Sequence, residues 1–248
     1  MKNINKTKIG LQVLAYNCAT TFQKVIDPWT SLKKEYDIKI WVGSGQFKEY
    51  HELGYENKNS KTLKLLQQLR DTKVINELFT TDGDNDNLLK DHEMRNKCVP
   101  WMRENDIDLM IQVDADEFYS TREANNLIQY IIDNPDHAIY NTMFKNVVGD
   151  EVEDWSRFSA GWIKKHGGIK GYYFDCHWWF NDDFDYRNQG FNEIPKELVN
   201  PYHYTWTNNE NTTGPAHVKE KIEYQKRVYS DGCGYEWDEV NQKINKNG

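Results

Sequence analysis

Over the first 120 residues, short β-branched runs alternate with longer segments that have helical spacing. Ile9 to Ala15 (IGLQVLA) is an apolar run of strand length that stops at Tyr16-Asn17, and Ile38 to Val42 (IKIWV) is a second that stops at Gly43-Ser44-Gly45. Between them, Ala19 to Tyr36 can form an amphipathic helix with Pro28 inside it. Leu63, Leu65, Leu66 and Leu69 predict a helix over 60–69. Val74 to Thr80 predicts a third strand and Leu88 to Glu104 a third helix. Asp108 to Val113 (DLMIQV) is a fourth strand, and it runs straight into Asp114-Ala115-Asp116-Glu117. Strands and helices alternating over short connections predict an α/β sheet sandwiched by helices. Ligands of such sheets bind at the carboxyl ends of the strands.

Beyond about Pro135 the pattern changes. Six of the nine tryptophans follow residue 150, and strand-like runs become aromatic, as in Gly171 to Phe180 (GYYFDCHWWF). Pro215 to Tyr229, rich in Lys and Glu, predicts a last helix. With no internal repeat and no low-complexity linker, the reading is one domain over 1–248 with two functional halves, 1–120 and 121–248.

Composition narrows the class. A chain of 248 residues, 38% hydrophobic, can bury a sizeable core without disulfide staples. Its four cysteines, Cys18, Cys98, Cys176 and Cys233, lie far apart with no CxxC pair, and read as reduced thiols. The start MKNINKTKIGLQVLAYN has only a short apolar run, broken by Gln12, so neither a signal peptide nor a membrane span is expected. A cytoplasmic protein is expected, with the sequons at Asn5 and Asn211 coincidental in an Asn-rich chain. The formal charge of -8 argues against a nucleic-acid partner, which needs a basic face. A phosphate ligand would require a metal ion or a local Arg or Lys to offset that field.

The sharpest chemical signal is Asp114-Ala115-Asp116-Glu117 at the end of an apolar strand. Two carboxylates two residues apart can converge on one hard cation, and Mg²⁺ and Mn²⁺ take oxygen ligands. Such a metal could neutralise charge developing on a diphosphate leaving group. An acidic loop that only terminates the strand is the plainer alternative.

The order of elements and motifs resembles nucleotide-sugar-dependent glycosyltransferases of the GT-A fold, closest to the family 2-like enzymes. LAYN closes a first strand similar to theirs. Glu93-Met94-Arg95-Asn96 resembles the Arg-Asn on the helix leading into their DxD strand, and VDADEF resembles the DxD itself. Asp182-Asp183-Phe184-Asp185, followed by Arg187 and Gly190-Phe191, is similar to their later acidic motif. Tyr202-His203-Tyr204 with Trp206 resembles the segment carrying a late metal-binding His. The likeness spans roughly residues 8 to 230. It departs at the second strand, which ends Val42-Gly43-Ser44-Gly45 where the family usually has an acidic pair, so the loop would supply backbone N–H groups instead.

The resemblance implies a GT-A-like mixed central sheet flanked by helices, with an aromatic-rich acceptor half. It implies transfer of a sugar from a nucleotide-diphosphate donor to a hydroxyl acceptor, expected on a glycan, with inversion and with Mn²⁺ or Mg²⁺ as cofactor. Tyr16 and Asn17 would line the nucleotide pocket, Arg95 would face the diphosphate, and Asp114 would contact ribose or metal. Asp116 and His203 would complete the metal shell. Asp183 would deprotonate the acceptor, with Asp182 and Glu117 behind it. Each of these residues also has a plain reading: Tyr16 as core, Arg95 as a solvated charge, Asp182-Asp183 as a turn, His203 as structural.

Other readings compete. Tyr173, Trp178 and Trp179 suit an acceptor site, since sugar rings pack on aromatic faces, and suit a small second core equally. Asp82, Asp84, Asp86 and Glu93 fall at positions 1, 3, 5 and 12 of an EF-hand-like loop, but Asn87 takes the place of its glycine and a strand-like run precedes it. A helix-capping turn of Asp or Asn accounts for the segment better. A haloacid-dehalogenase-type phosphatase also places DxD after an apolar strand and is kept in view by Lys170 and Asp182-Asp183. Phe118 stands where its motif has Thr or Val, and about 110 residues precede the DxD. A non-catalytic sugar-binding module is the third alternative.

Overall fold

The computed structural model describes residues 7–52, 54, 57, 59–81, 88–137, 139–148, 151–163, 173–175, 178–180, 192–206, 235–238 and 243–246. Four parallel strands build the first half of the main sheet: β1 (Lys8–Ala15), β2 (Asp37–Ser44), β3 (Glu77–Thr80) and β4 (Leu109–Asp114). They lie in the order β3-β2-β1-β4, with Val13 of β1 opposite Val42 on one side and Val113 on the other. The sheet continues through β7 (Glu151–Trp162), β6 (Ile139–Val148), β11 (Tyr202–Trp206) and β5 (Glu117–Phe118). Here β7 runs antiparallel to β4 and to β6, β11 lies parallel to β6, and β5 pairs antiparallel with β11. A short strand, β10 (Asn192–Glu193), also pairs with the start of β6. The fold is mixed α/β, one sheet serving both halves of the chain.

Helices cover both faces of β1, as expected of a parallel strand whose interior is apolar but for Gln12. One core joins Ile9, Leu11 and Val13 to Trp29 of α1 (Phe22–Ser31), Leu66 of α3 (Ser60–Asp71) and Leu127 of α6 (Thr121–Asp133). On the other face Leu14 meets Met94 of α4 (Asp91–Asn96) and Met102 of α5 (Cys98–Glu104). Gln12, the polar interruption in β1, is fully buried there. Its amide donates to the Arg95 carbonyl at 2.9 Å and to Cys98 Sγ at 2.7 Å, fixing the α4–α5 junction against the sheet.

The elements depart from the sequence pattern at identifiable residues. The helix expected over 19–36 is α1 followed by a 3-10 turn at Leu32–Lys34. The helix expected over 88–104 is two helices broken at Lys97, because Pro100 has no N–H to give and its ring would strike the carbonyl four residues back. Pro100 is accommodated in the first turn of α5. The third strand is only Glu77–Thr80, and the preceding chain turns at Lys73, where φ is 61°. Within 171–180 the backbone forms an antiparallel pair, β8 (Tyr173–Asp175) and β9 (Trp178–Phe180), and a second such pair is β12 (Tyr235–Asp238) with β13 (Lys243–Lys246). The helix expected over 215–229 lies outside the described residues. α6 is set by its own N-terminus: Ser120 Oγ accepts from Glu123 N–H at 3.2 Å while Glu123 Oε2 accepts from Ser120 N–H at 2.8 Å.

Candidate functional site

At the carboxyl end of β1 the chain leaves the sheet through a left-handed residue, Asn17 with φ of 49°, a conformation that Asn tolerates better than most. Asn17 N–H donates to Asn59 Oδ1 at 2.9 Å, and Asn59 Nδ2 donates to Ser44 Oγ at 2.8 Å, so a fully buried Asn at the start of α3 ties the ends of β1 and β2 together. Tyr16 is buried and stacks on Tyr50 of α2 (Lys48–Glu52), with centroids 5.8 Å apart and planes 15° off parallel. The Gly43-Ser44-Gly45 corner requires its second glycine. Gly45 has φ of 144°, and a Cβ there would stand 2.2 Å from Thr81 Oγ1.

The end of β4 carries two carboxylates with different partners. Asp114 Oδ1 accepts from Arg95 Nη2 at 2.9 Å, and the same guanidinium donates from Nε to Asp91 Oδ2 at 3.2 Å. Arg95 is only 2% exposed, so this is a buried cation between two carboxylates that each retain some solvent. Glu117, fully buried, closes the turn by accepting from Asp114 N–H through Oε2 at 3.2 Å. That turn delivers Asp116 to β11, where its carbonyl accepts from Tyr204 N–H at 3.0 Å.

Asp116 Oδ1 lies 3.6 Å from His203 Nε2. The other ring nitrogen, Nδ1, lies 2.9 Å from Asn146 Oδ1 on β6. The strands account for the grouping: His203 is the register partner of Asn146 across β11–β6 and of Glu117 across β11–β5. His203 and Asn146 are both buried, and the Phe144 ring stands edge-on to the imidazole at 6.2 Å between centroids. Cys18 is buried within the same core. Burial, and after it the negative charge of Asp116, pushes its thiol up to about 12.

The structure thus brings Asp116 together with His203, and Arg95 with Asp114, and it sets Tyr16 and Asn17 at the neighbouring strand end. Arg95, expected to face a diphosphate, is engaged by Asp114 and Asp91. Among the described residues no group of three or more His, Cys, Asp or Glu side chains is gathered as a metal site. Asp182 and Asp183 lie outside the described residues, as do Lys170 and the side chains of Tyr173, Trp178 and Trp179. So do Asp82, Asp84, Asp86 and Asn87, but Glu93 of that segment accepts from Lys90 N–H at 2.8 Å, capping α4 from a Lys rather than from an Asp or Asn. Two contributors carried no sequence signal: Asn146, an amide in a strand, and Asn59, an amide just before a helix. Each stands out only once the strand ends are neighbours.

No protein-family model matches the chain, and no curated protein matches it in sequence. Among solved structures it is similar to residues 1–349 of TarS from S. aureus, with 9% identity over 95% of this chain and 68% of that one, at a TM-score of 0.49. It is also similar to a mannosyltransferase from Pyrobaculum calidifontis solved with GDP-Man and Mn²⁺, with 12% identity over 92% of this chain and 66% of that one, at 0.48. A third is glucosyl-3-phosphoglycerate synthase from Mycobacterium tuberculosis solved with Mn²⁺, UDP and phosphoglyceric acid, with 10% identity over 57% of this chain and 44% of that one, at 0.39. The chain spans 22% of the length of a longer TarS structure.

Proposed function

We propose that this chain is a glycosyltransferase that uses a nucleotide-diphosphate sugar and a divalent cation. The observation that carries the reading is the pair Asp116–His203, 3.6 Å apart at the carboxyl end of the sheet, directly after the DxD strand. A carboxylate and an imidazole are both donors that Mn²⁺ accepts, and the carboxylate also suits Mg²⁺, so the residues present fit the cation. Asp116 and His203 would hold it, and when bound it supplies positive charge to the donor's diphosphate. Asp114 is the proposed contact to the ribose side of the donor, kept in place by Arg95. Tyr16 and Asn17 border the nucleotide, and the Gly43-Ser44-Gly45 corner replaces an acidic pair with backbone. From the sequence motif alone, Asp183, with Asp182 beside it, is the proposed general base that removes the acceptor hydroxyl proton.

The test is release of nucleoside diphosphate from UDP- and GDP-sugars with Mn²⁺ and with chelator. Metal-dependent release supports the reading; release unchanged by chelator overturns the metal, and release of phosphate from a generic aryl phosphate favours a phosphatase. Asp183→Asn is expected to abolish transfer to an acceptor while leaving donor binding within a few-fold. The anomeric configuration of product, read by NMR, is expected to be inverted. Retention would remove Asp183 from the base role.

A further inference from the structure

We infer that Asn146 is a positioning residue that fixes which nitrogen of His203 carries the proton, and so aims the lone pair of Nε2 at the cation site. The inference rests on the reading of Asp116 and His203 as the metal-binding pair. An amide oxygen can only accept, and Asn146 Oδ1 stands 2.9 Å from His203 Nδ1. With Nδ1 donating to that oxygen, a neutral ring carries its lone pair on Nε2, 3.6 Å from Asp116 Oδ1. An Nε2 lone pair and a carboxylate oxygen at this distance offer one cation two ligand atoms. A neutral ring that already presents its lone pair need not move a proton before it binds.

The fold makes the arrangement rigid. Asn146 and His203 are register partners on parallel strands, so their Cα positions are fixed by the sheet. Both residues are buried, which keeps water from competing for Nδ1, and the Phe144 ring packs edge-on with the imidazole. Partners of the distal nitrogen of a metal-binding His set its tautomer and orientation, and their loss commonly costs 10–100-fold in metal affinity.

Long-range ¹⁵N–¹H correlation spectra of the metal-free, His-labelled protein report the tautomer directly, with His203 assigned by its loss in His203→Gln. The Nδ1–H form is expected in the wild type; an Nε2–H form or a doubly protonated ring overturns the inference, and this readout needs no Asn146 variant to fold. Calorimetric titration with Mn²⁺ alone supplies the second readout. Asn146→Leu, checked for a native thermal transition, is expected to bind Mn²⁺ about 10–100-fold more weakly. Asn146→Asp, which also accepts from Nδ1–H, is expected to bind within a few-fold of wild type. Equal binding by Asn146→Leu overturns the inference while leaving the metal pair standing. Absence of Mn²⁺ binding in the wild type removes the metal pair itself, and with it the role given to Asn146.

Discussion

Arg95 is buried between two carboxylates, Asp91 and Asp114. A guanidinium 2% exposed between Asp91 and Asp114 cannot be removed without stranding carboxylate charge. Breaking such a buried pair costs 3–5 kcal/mol. Both carboxylates here keep partial access to water, so Arg95→Ala is expected to lose about 3 kcal/mol of unfolding free energy in urea. A loss below about 1 kcal/mol would show that the ion pairs are solvent-compensated, as exposed ones are. Cys98, one helix away, is a thiol pushed up to about 12 by burial, more than the Gln12 amide and the Arg95 charge bring it down. Two consequences follow from that shift. Native Cys98 should resist iodoacetamide at pH 8.5 and react once the chain is unfolded. Because the folded thiol titrates later than the unfolded one, its contribution to stability holds below the ordinary thiol range and falls as pH climbs from there toward about 12.

At the scale of elements, two local devices decide where the chain turns. Ser120 and Glu123 cap α6 reciprocally, and Ser120→Ala is expected to cost about 1 kcal/mol by thermal unfolding. Gly43 lies under the indole of Trp41: a Cβ there would meet Trp41 ring carbons at 2.8 and 2.9 Å and Leu14 Cδ2 at 3.0 Å. A rigid ring cannot step aside as a methionine tip can, so Gly43→Ala is expected to cost about 1–3 kcal/mol, and a neutral result would mean that the sheet corner is looser than drawn.

The same elements show what the sequence makes legible. β1, β2 and β4 read as mostly apolar runs, interrupted at Gln12, Lys39 and Gln112, because they are largely buried, and their ends, where Asn17 and Asp114 fall, can be read directly. β6 and β7 are the longest strands described, yet they alternate apolar, polar and charged residues, as in Phe144-Lys145-Asn146, and carry no such run. Asn146 was hidden for that reason. A polar residue on an inward strand position becomes informative only when the strand that faces it is known, and here that strand, β11, lies more than fifty residues downstream. The DxD and the late His were legible as types; that His203 meets Asp116 while Arg95 takes Asp114 depends on the turn that Glu117 closes.

On the scale of the whole molecule, a glycosyltransferase reading would ask an acidic chain of net charge -8 to bind a diphosphate at the carboxyl end of a sheet where its Arg95 is already engaged by carboxylates. On the proposed reading, a divalent cation held by Asp116 and His203 would resolve that conflict and would make nucleotide binding conditional on metal. No described helix is long and apolar enough to cross a membrane. The decisive measurement is a thermal-shift panel of UDP, GDP, CMP and dTDP, each with Mn²⁺ and with chelator, on the wild type and on Asp116→Ala. A ligand that binds only the folded form raises its apparent stability, by about 2.7 kcal/mol at a hundred times the dissociation constant. The account expects one nucleotide to shift the wild type with Mn²⁺ only, and to shift Asp116→Ala not at all. A flat panel, or a nucleotide shift that survives both chelator and Asp116→Ala, would contradict it.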